Sequence, residues 1–227
     1  MPCLMLSKGR VMLPADEGPK VAVDAAGAPF ELFDVTEQLG SRYGRIYVVD
    51  LDGLERDRPQ LDYLQEIARD GEMWVDAGVR SADQAIDILV TGAHRAVLSS
   101  AFLPTERALA KAWKLSTDLA FEVEVRDGRA AAVADEWRDK APADVAAAVR
   151  AVGPSDLVLS FREAPVDWSV VRHVASKGPA WVDGTFTISD EPRLAPARAA
   201  GGIFHIHDFL ATFVPPATSR TDRGPAG

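Results

Sequence analysis

The chain contains an internal repeat. Residues 74–83 (WVDAGVRSAD) return as residues 181–190 (WVDGTFTISD), and at the same offset 93–98 (AHRAVL) aligns with 200–205 (AGGIFH). A repeat of this length spans several strand–helix units, so it predicts a closed α/β barrel, the (β/α)8 or TIM barrel, with two pseudo-repeated halves. We place the half-barrels at about 1–115 and 116–214. Such barrels carry their chemistry at the carboxyl ends of their strands.

Short apolar segments alternate with amphipathic ones along the chain, as expected of strand–helix units around a parallel sheet. The predicted strands are Pro2–Leu6, Arg45–Asp50, Met73–Ala77, Arg95–Ser99, Leu119–Val125, Asp156–Phe161, Ala180–Asp183 and Gly202–Ile206. The predicted helices lie near Phe30–Arg42, Leu61–Asp70, Ala82–Thr91, Thr105–Lys114, Ala143–Ala151, Trp168–Ser176, Pro192–Ala199 and Asp208–Phe213. Eight of each is the number that this barrel requires.

Two segments stand outside this pattern. Lys8–Pro29 is rich in Gly, Pro and Asp and is long enough to be an active-site loop after the first strand. Residues 215–227 have the composition of a flexible tail. No linker interrupts the remaining chain, so residues 1–214 are predicted to form a single barrel domain.

Composition and charge narrow the function classes. A formal charge of −9, with no Lys/Arg cluster among aromatic residues, argues against nucleic-acid binding. The lone Cys3 excludes intramolecular disulfides and cysteine-rich zinc sites. No stretch approaches the roughly 20 apolar residues of a membrane span, and the N-terminus lacks a signal-peptide layout. By elimination we expect a cytoplasmic protein without membrane contact, and no cofactor is expected.

The turns after the third and fourth strands form the better candidate phosphate site. Gly78 lets the backbone approach a ligand closely, and Ser81 opens a helix whose N–H groups favour an anion. Arg80 and the hydroxyls of Ser99 and Ser100 add donors. The structural alternative is an ordinary turn with a helix cap. Asp76 lies beside this site, and its charge would repel a phosphate.

A second, poorer candidate phosphate site lies in the second copy of the repeat, at the turn equivalent to residues 78–81. Gly184 and Thr185, followed by Ser189, occupy the equivalent positions. At this site we favour the alternative to phosphate binding, in which the turn is kept but side chains fill its pocket. One good site and one poor site favour a ligand with a single phosphate.

Two carboxylates share one face of the fifth strand. Glu122 and Glu124 alternate with valines, and buried acids are expensive unless they are paired or functional. We assign Glu124 as a catalytic acid or base and give Glu122 less weight. Asp50, at the end of the second strand, is the other catalytic candidate: it could orient a substrate hydroxyl or simply cap the following loop.

The predicted strand ends carry further charge. Asp183 repeats Asp76, so these two and the acids at positions 50 and 52 could ring the mouth of the barrel. Such a mouth could hold a metal or a cationic amine, or be offset by arginines at positions 10, 80 and 162. His205 and His207 have a spacing that suits a metal, with Asp183 as a third ligand. A hydrogen-bonded histidine pair is the favoured alternative, and no metal site is expected.

Several of these motifs occur together in a known family. Residues 2–4 with 9–11 (PCL, GRV), 49–53 (VDLDG), 76–81 (DAGVRS) and 98–101 (LSSA) resemble successive strands and loops of the histidine-biosynthesis barrels. These are ProFAR isomerase and the cyclase subunit of imidazole glycerol phosphate synthase. The resemblance implies a TIM barrel, a phosphorylated ligand and an Amadori-type isomerisation that needs a general acid and a general base. It is strongest in the first half of the chain.

The chain departs from this family at one catalytic position. The family's strand-one aspartate maps to Met5, which can neither donate nor accept a proton, whereas the strand-five aspartate maps to Glu124. Losing one acid–base partner typically costs about 10²–10⁴-fold in rate. The ordinary isomerase reaction is therefore not expected.

We expect a divergent enzyme that acts on a small phosphorylated, sugar-derived metabolite by proton transfer, as an isomerase or a lyase. One alternative is a non-catalytic ligand-binding or assembly barrel. Another is a lyase or synthase in a C1-carrier cofactor pathway, because related barrels accompany such pathways in methanogens and methylotrophs. No oligomeric state is predicted.

Overall fold

The computed structural model describes residues 1–162, 164–210 and 213, and eight of its strands close into a parallel barrel. The strands are β1 (Pro2–Ser7), β2 (Arg10–Leu13), β3 (Lys20–Val21), β4 (Arg45–Asp50), β5 (Glu72–Val79), β6 (Arg95–Ser99), β7 (Leu119–Arg126), β8 (Arg129–Ala131), β9 (Leu157–Phe161), β10 (Ala180–Gly184) and β11 (Gly201–His205). The helices are α1 (Leu32–Tyr43), α2 (Leu51–Arg56), α3 (Leu61–Ile67), α4 (Ala82–Val90), α5 (Glu106–Leu115), α6 (Pro142–Val152), α7 (Trp168–Ala175) and α8 (His207–Leu210), with a 3₁₀ helix at Ile188–Arg193.

The barrel strands follow the order β1-β4-β5-β6-β7-β9-β10-β11. The circle closes where β11 pairs in parallel with β1, placing Pro2 opposite Phe204 and Cys3 opposite His205. The N-terminal amine of Met1 adds a 2.7 Å hydrogen bond to the carbonyl of Gly202. This closure confirms the predicted (β/α)8 TIM barrel.

The alternation of side chains along the strands produces two apolar regions. Residues facing outward pack beneath the helices, as Leu157, Leu159 and Phe161 do on β9. Residues facing inward fill the barrel, where Val158 meets Cys3, Tyr47, Val97 and Ala120. The next inward position on β9 is Ser160, and position 162 follows just beyond the strand. Polar side chains thus begin where the strands approach their carboxyl ends.

Several helices begin at residues whose side chains bond to the first-turn amides. Ser81 accepts from the amide of Gln84 and Thr105 from that of Ala108. Asp167 accepts from the amides of Ser169 and Val170. These contacts satisfy amides that have no partner within the helix, which fixes where each helix starts after its strand.

The structure differs from the predicted elements in three places. The segment Lys8–Pro29, predicted to be a loop, forms the hairpin β2–β3 beside β1 and an isolated bridge between Val23 and Pro29. Helix α2 was not predicted, and it begins after Asp50, which caps it. The helix predicted at Pro192–Ala199 is replaced by the earlier 3₁₀ helix, which begins at a capping box formed by Thr187 and Asp190.

The first and fifth barrel strands share one feature. Each continues into an antiparallel hairpin through a two-residue turn, Lys8-Gly9 or Asp127-Gly128, in which both residues have positive φ. This likeness agrees with the two predicted half-barrels, which remain a prediction. The predicted tail, 215–227, lies outside the described residues. No helix within those residues is long and apolar enough to cross a membrane.

Candidate functional site

A cavity of about 410 Å³ opens at the carboxyl ends of the barrel strands. It lies at β1, β4, β10 and β11 and extends to the turn that follows β10. Its lining residues are Met5, Pro14, Val49, Leu51, Leu54, Arg162, Asp183, Gly184, Thr185, Phe186, Thr187, His205 and His207. Apolar side chains therefore form one wall, and polar groups are gathered on the side of β9, β10 and β11. Active sites of this fold are found at this end of the barrel.

Arg162 organises the polar side of the cavity. One of its terminal nitrogens, Nη2, lies 3.0 Å from Asp76 Oδ2 and 2.9 Å from Glu122 Oε2. Its Nε lies 3.2 Å from Asp183 Oδ2. The three carboxylates are almost completely buried, whereas 31% of the arginine side chain is exposed. We call these four residues the ionic cluster.

Hydroxyl groups complete the ionic cluster. Tyr47 donates to Glu122 at 3.2 Å and Ser99 donates to the same carboxyl group at 3.4 Å. Ser160 donates to Asp183 at 3.1 Å. Buried charges are tolerated only when they are paired and hydrogen-bonded, and these contacts supply that pairing for most of the oxygens.

One guanidinium faces three carboxyl groups, so the ionic cluster has an excess of acid. Burial, together with the charges of Asp76 and Asp183, raises the pKa of Glu122 to about 8, although Arg162 opposes the shift. Glu122 therefore holds a proton at neutral pH. The cluster as a whole then carries a net negative charge beside the cavity.

Two buried polar atoms of the lining residues have no partner within the described chain. They are Asp183 Oδ1 and His205 Nδ1. Burial lowers the pKa of His205, so its imidazole is neutral at pH 7. Because buried polar groups are nearly always hydrogen-bonded, unpartnered ones at a cavity point to a ligand or water. These two groups are the ones in the cavity lining best suited to exchanging a proton with a ligand.

The first predicted phosphate site lies beside β5 and β6, and its arginine is already bound. Arg80 donates to the carbonyls of Gly53, Leu54 and Gly78 and pairs with Asp57 at 3.1 Å. A phosphate here would have to displace these acceptors.

The serines of that site are also engaged. Ser81 caps α4. Ser99 bonds to Glu122 and accepts from the amide of Ala101. Ser100 donates to the carbonyl of Ala131 and accepts from the amide of Glu124. The contacts of Ser81 match the structural alternative stated above, in which this residue only caps the helix that follows an ordinary turn.

The second predicted site lies in the cavity. Gly184 and Thr185 both line it. A Cβ on residue 184 would lie 3.0 Å from the backbone oxygen of Phe161, so glycine allows this close approach between β9 and β10. The Thr185 hydroxyl donates to the carbonyl of Ala164 at 3.1 Å. Thr187, another lining residue, contacts the Ser189 hydroxyl at 2.6 Å.

The two predicted catalytic carboxylates lie elsewhere. Glu124 is mostly buried and pairs with the exposed Arg126 at 2.9 Å. Asp50 accepts from the amides of Asp52, Gly53 and Gln60 and from the Gln60 side chain, which matches the capping alternative. Burial raises the pKa of Asp50, although these hydrogen bonds oppose the shift. Neither residue lines the cavity.

The aspartates do not form one ring. Asp76 and Asp183 meet at Arg162, whereas Asp52 binds the Ser7 hydroxyl, the Lys8 amide and Arg56. Sequence reasoning named Arg162 only as one of three possible counter-ions. A stronger signal was available, because positions 158 and 160 face inward on β9 and position 162 continues this alternation just beyond the strand. The alternation favours an arginine there at the mouth of the barrel.

The histidine pair lies at the end of β11. The rings of His205 and His207 are stacked with centroids 6.3 Å apart, and His207 pairs with Asp208 at 3.1 Å. Within residues 1–162, 164–210 and 213, no three His, Cys, Asp or Glu side chains are placed to share a metal ion.

Comparisons with known proteins agree with this architecture. The family model described as "Histidine biosynthesis protein" matches residues 1–218. No curated protein matches the chain. Among solved structures, a crystal structure of 3-hexulose-6-phosphate synthase is similar with a TM-score of 0.57 and 13% identity. The match covers 77% of this chain and 85% of that one, and at this identity it shows a shared fold.

Proposed function

Because the chain belongs to the histidine biosynthesis protein family, we propose that it is an enzyme acting on a small phosphorylated, sugar-derived metabolite. The reaction class is proton transfer, as in an isomerase or a lyase. The observation that carries the proposal is the cavity at the carboxyl ends of the strands, which is lined by Arg162, Asp183 and His205. The 3-hexulose-6-phosphate synthase also supports a phosphorylated ligand, since its name specifies one.

The phosphate is placed at the turn after β10. Thr185 and Thr187 line the cavity at this turn, and His207, which follows β11, is another lining residue. The loops after the seventh and eighth strands are a frequent phosphate site of this fold. The alternative site, with Gly78, Arg80, Ser81, Ser99 and Ser100, is less favoured because none of these residues lines this cavity.

The chemistry is assigned to Asp183 and His205. Arg162 and Ser160 hold one oxygen of Asp183, which leaves the other to take a proton from a carbon beside a carbonyl group. The neutral His205 can donate its ring proton to the carbonyl oxygen and take one back from the adjacent hydroxyl, while Asp183 returns its proton to the neighbouring carbon. Met5 lies in the cavity wall at the family's strand-one aspartate position, so this pair replaces the usual one.

Deuterium exchange tests this function. The protein is incubated in D₂O with dihydroxyacetone phosphate or ribulose 5-phosphate, and deuterium at carbon is followed by NMR. We expect exchange above the buffer rate for wild type and a loss of about 10²–10⁴-fold in D183N. E124Q and D50N test the carboxylates predicted from the sequence and should keep most of the exchange. Equal behaviour of wild type and D183N with both compounds would support the alternative of a non-catalytic barrel.

A further inference from the structure

Glu122 is connected to the cavity through Arg162. Its carboxyl group is 1% exposed and does not line the cavity. Glu122 Oε2 lies 2.9 Å from Arg162 Nη2, and the same nitrogen lies 3.0 Å from Asp76 Oδ2. The Nε of this guanidinium holds Asp183 Oδ2 at 3.2 Å. The proposed base therefore shares its counter-ion with two buried carboxyl groups that lie outside the cavity lining.

Glu122 can exist in two charge states at this position. Because Glu122 and Asp76 contact the same nitrogen, they are near neighbours, and two ionised carboxylates so placed repel each other. Burial and the charges of Asp76 and Asp183 raise the pKa of Glu122 to about 8. The hydroxyls of Tyr47 and Ser99 lie 3.2 and 3.4 Å from its carboxyl oxygens, and a hydroxyl can donate to a carboxylate or accept from a carboxylic acid. Glu122 can therefore gain or lose a proton without losing these partners.

The neutral titratable groups near the ionic cluster do not explain a titration in the same pH window. Burial raises the pKa values of Tyr47 and Cys3 well above their ordinary range, so both stay uncharged. Burial lowers the pKa of His205, so this imidazole is already neutral there. The charged groups that act on Glu122 are Arg162, Asp76, Asp183 and, on its own strand, Glu124.

We propose that Glu122 is a positioning residue that regulates the basicity of Asp183 through their shared counter-ion, Arg162. Protonated Glu122 leaves the guanidinium charge to Asp76 and Asp183. Ionised Glu122 competes for that charge and adds a negative charge to the cluster, and a carboxylate in such surroundings is a stronger base. The rate of proton abstraction therefore increases as Glu122 ionises. The inference rests on the proposed function, because it describes how the base of that reaction is regulated.

Carboxyl ¹³C NMR of the whole labelled protein tests this coupling without a substrate. Between about pH 6 and about pH 10, the Glu122 signal should show its titration, and the Asp183 signal should move with the same midpoint. E122Q, whose amide resembles the protonated carboxyl group, should abolish that step at Asp183. An Asp183 signal that does not follow Glu122 in wild type, or a step that remains in E122Q, overturns the proposal.

D76N is the matched variant. It removes a charge from the same nitrogen of Arg162, and the charge of Asp76 is one cause of the raised pKa of Glu122. The step at Asp183 should therefore persist in D76N and move to lower pH, whereas E122Q removes it. If E122Q fails to fold, wild type and D76N still decide, because a step at an unchanged pH in D76N assigns it to another group and overturns the proposal.

Deuterium exchange gives the functional readout. After the protein-free rate is subtracted, the wild-type rate should rise about threefold to tenfold across this window, and the E122Q rate should not. E124Q, on the same strand, should keep the wild-type rise. A merely structural role of Glu122 would lower the E122Q rate by the same factor at every pH and contradict the proposal.

The two proposals fail separately. Exchange that is lost in D183N but has the same pH profile in wild type and E122Q retires the role of Glu122 alone. Coupled signals of Glu122 and Asp183 in a protein that catalyses no exchange retire the proton-transfer function and leave the electrostatic coupling in place.

Discussion

At the scale of single residues, Arg162 holds the ionic cluster together. It is the cation shared by three buried carboxyl groups, and its removal would leave them facing one another. We expect R162M to lower the free energy of unfolding by about 3–5 kcal/mol, the usual cost of breaking a buried ion pair. Urea denaturation followed by circular dichroism measures this.

R69M is the control for that substitution. Arg69 forms an exposed pair with Glu66, which is worth at most about 1 kcal/mol. A loss in R162M no larger than in R69M would contradict the central role of Arg162.

Glu122 makes stability depend on pH. Its pKa is about 8 in the folded protein, above the ordinary value of 4.5, so the folded state binds the proton more tightly than the unfolded state. This group therefore favours folding below its unfolded pKa, and its contribution falls as pH rises through the window from 4.5 to about 8. We expect the melting temperature of wild type to decrease across this window and E122Q to show a flatter profile.

E124Q is the comparison on the same strand, because Glu124 pairs with Arg126 at the rim. It should keep the wild-type dependence on pH. An E122Q profile as steep as that of wild type would assign the titration to another group.

At the scale of elements, α2 depends on Asp50. This carboxylate accepts four hydrogen bonds, two from the first turn of α2 and two from Gln60. D50A should destabilise the protein by about 2–4 kcal/mol, since a cap and several buried hydrogen bonds are lost together. D62A, in the first turn of α3, is the control in urea denaturation and should change stability by less than about 1 kcal/mol. Similar losses in both variants would show that Asp50 does not hold α2.

The helices and strands also show which parts of the fold could be predicted from the sequence. The alternating strands and the helix caps were predictable, because their signals are local: Ser81 with Gln84 is one example. The helix after β4 was missed because Asp52-Gly53 is a turn signal that the cap at Asp50 overrides. The helix predicted at Pro192–Ala199 failed because Thr187 and Asp190 start a helical turn earlier. The site depended on contacts between distant strands, such as Arg162 with Asp76, which no local pattern specifies.

At the scale of the whole molecule, the predicted halves meet inside the barrel. Trp74 and Trp181, which align in the predicted repeat, lie edge to face with centroids 5.5 Å apart, and Arg45 contacts both rings. A double-mutant cycle of W74L and W181L should give a coupling energy of about 0.5–1.5 kcal/mol in urea denaturation. Trp137 packs on Phe121 beneath the helices, so W74L and W137L should be additive. Additivity in both cycles would mean that the two tryptophans do not link the halves.

The central claim is that the ligand occupies the cavity beside Asp183. The most direct measurement is an amide-detected NMR titration of the whole protein with ribose 5-phosphate. The account predicts that the largest shifts occur at residues 183–187 and 205–207, around the cavity. Shifts confined to residues 78–81 and 99–100 would place the phosphate at the turns after β5 and β6 and contradict it.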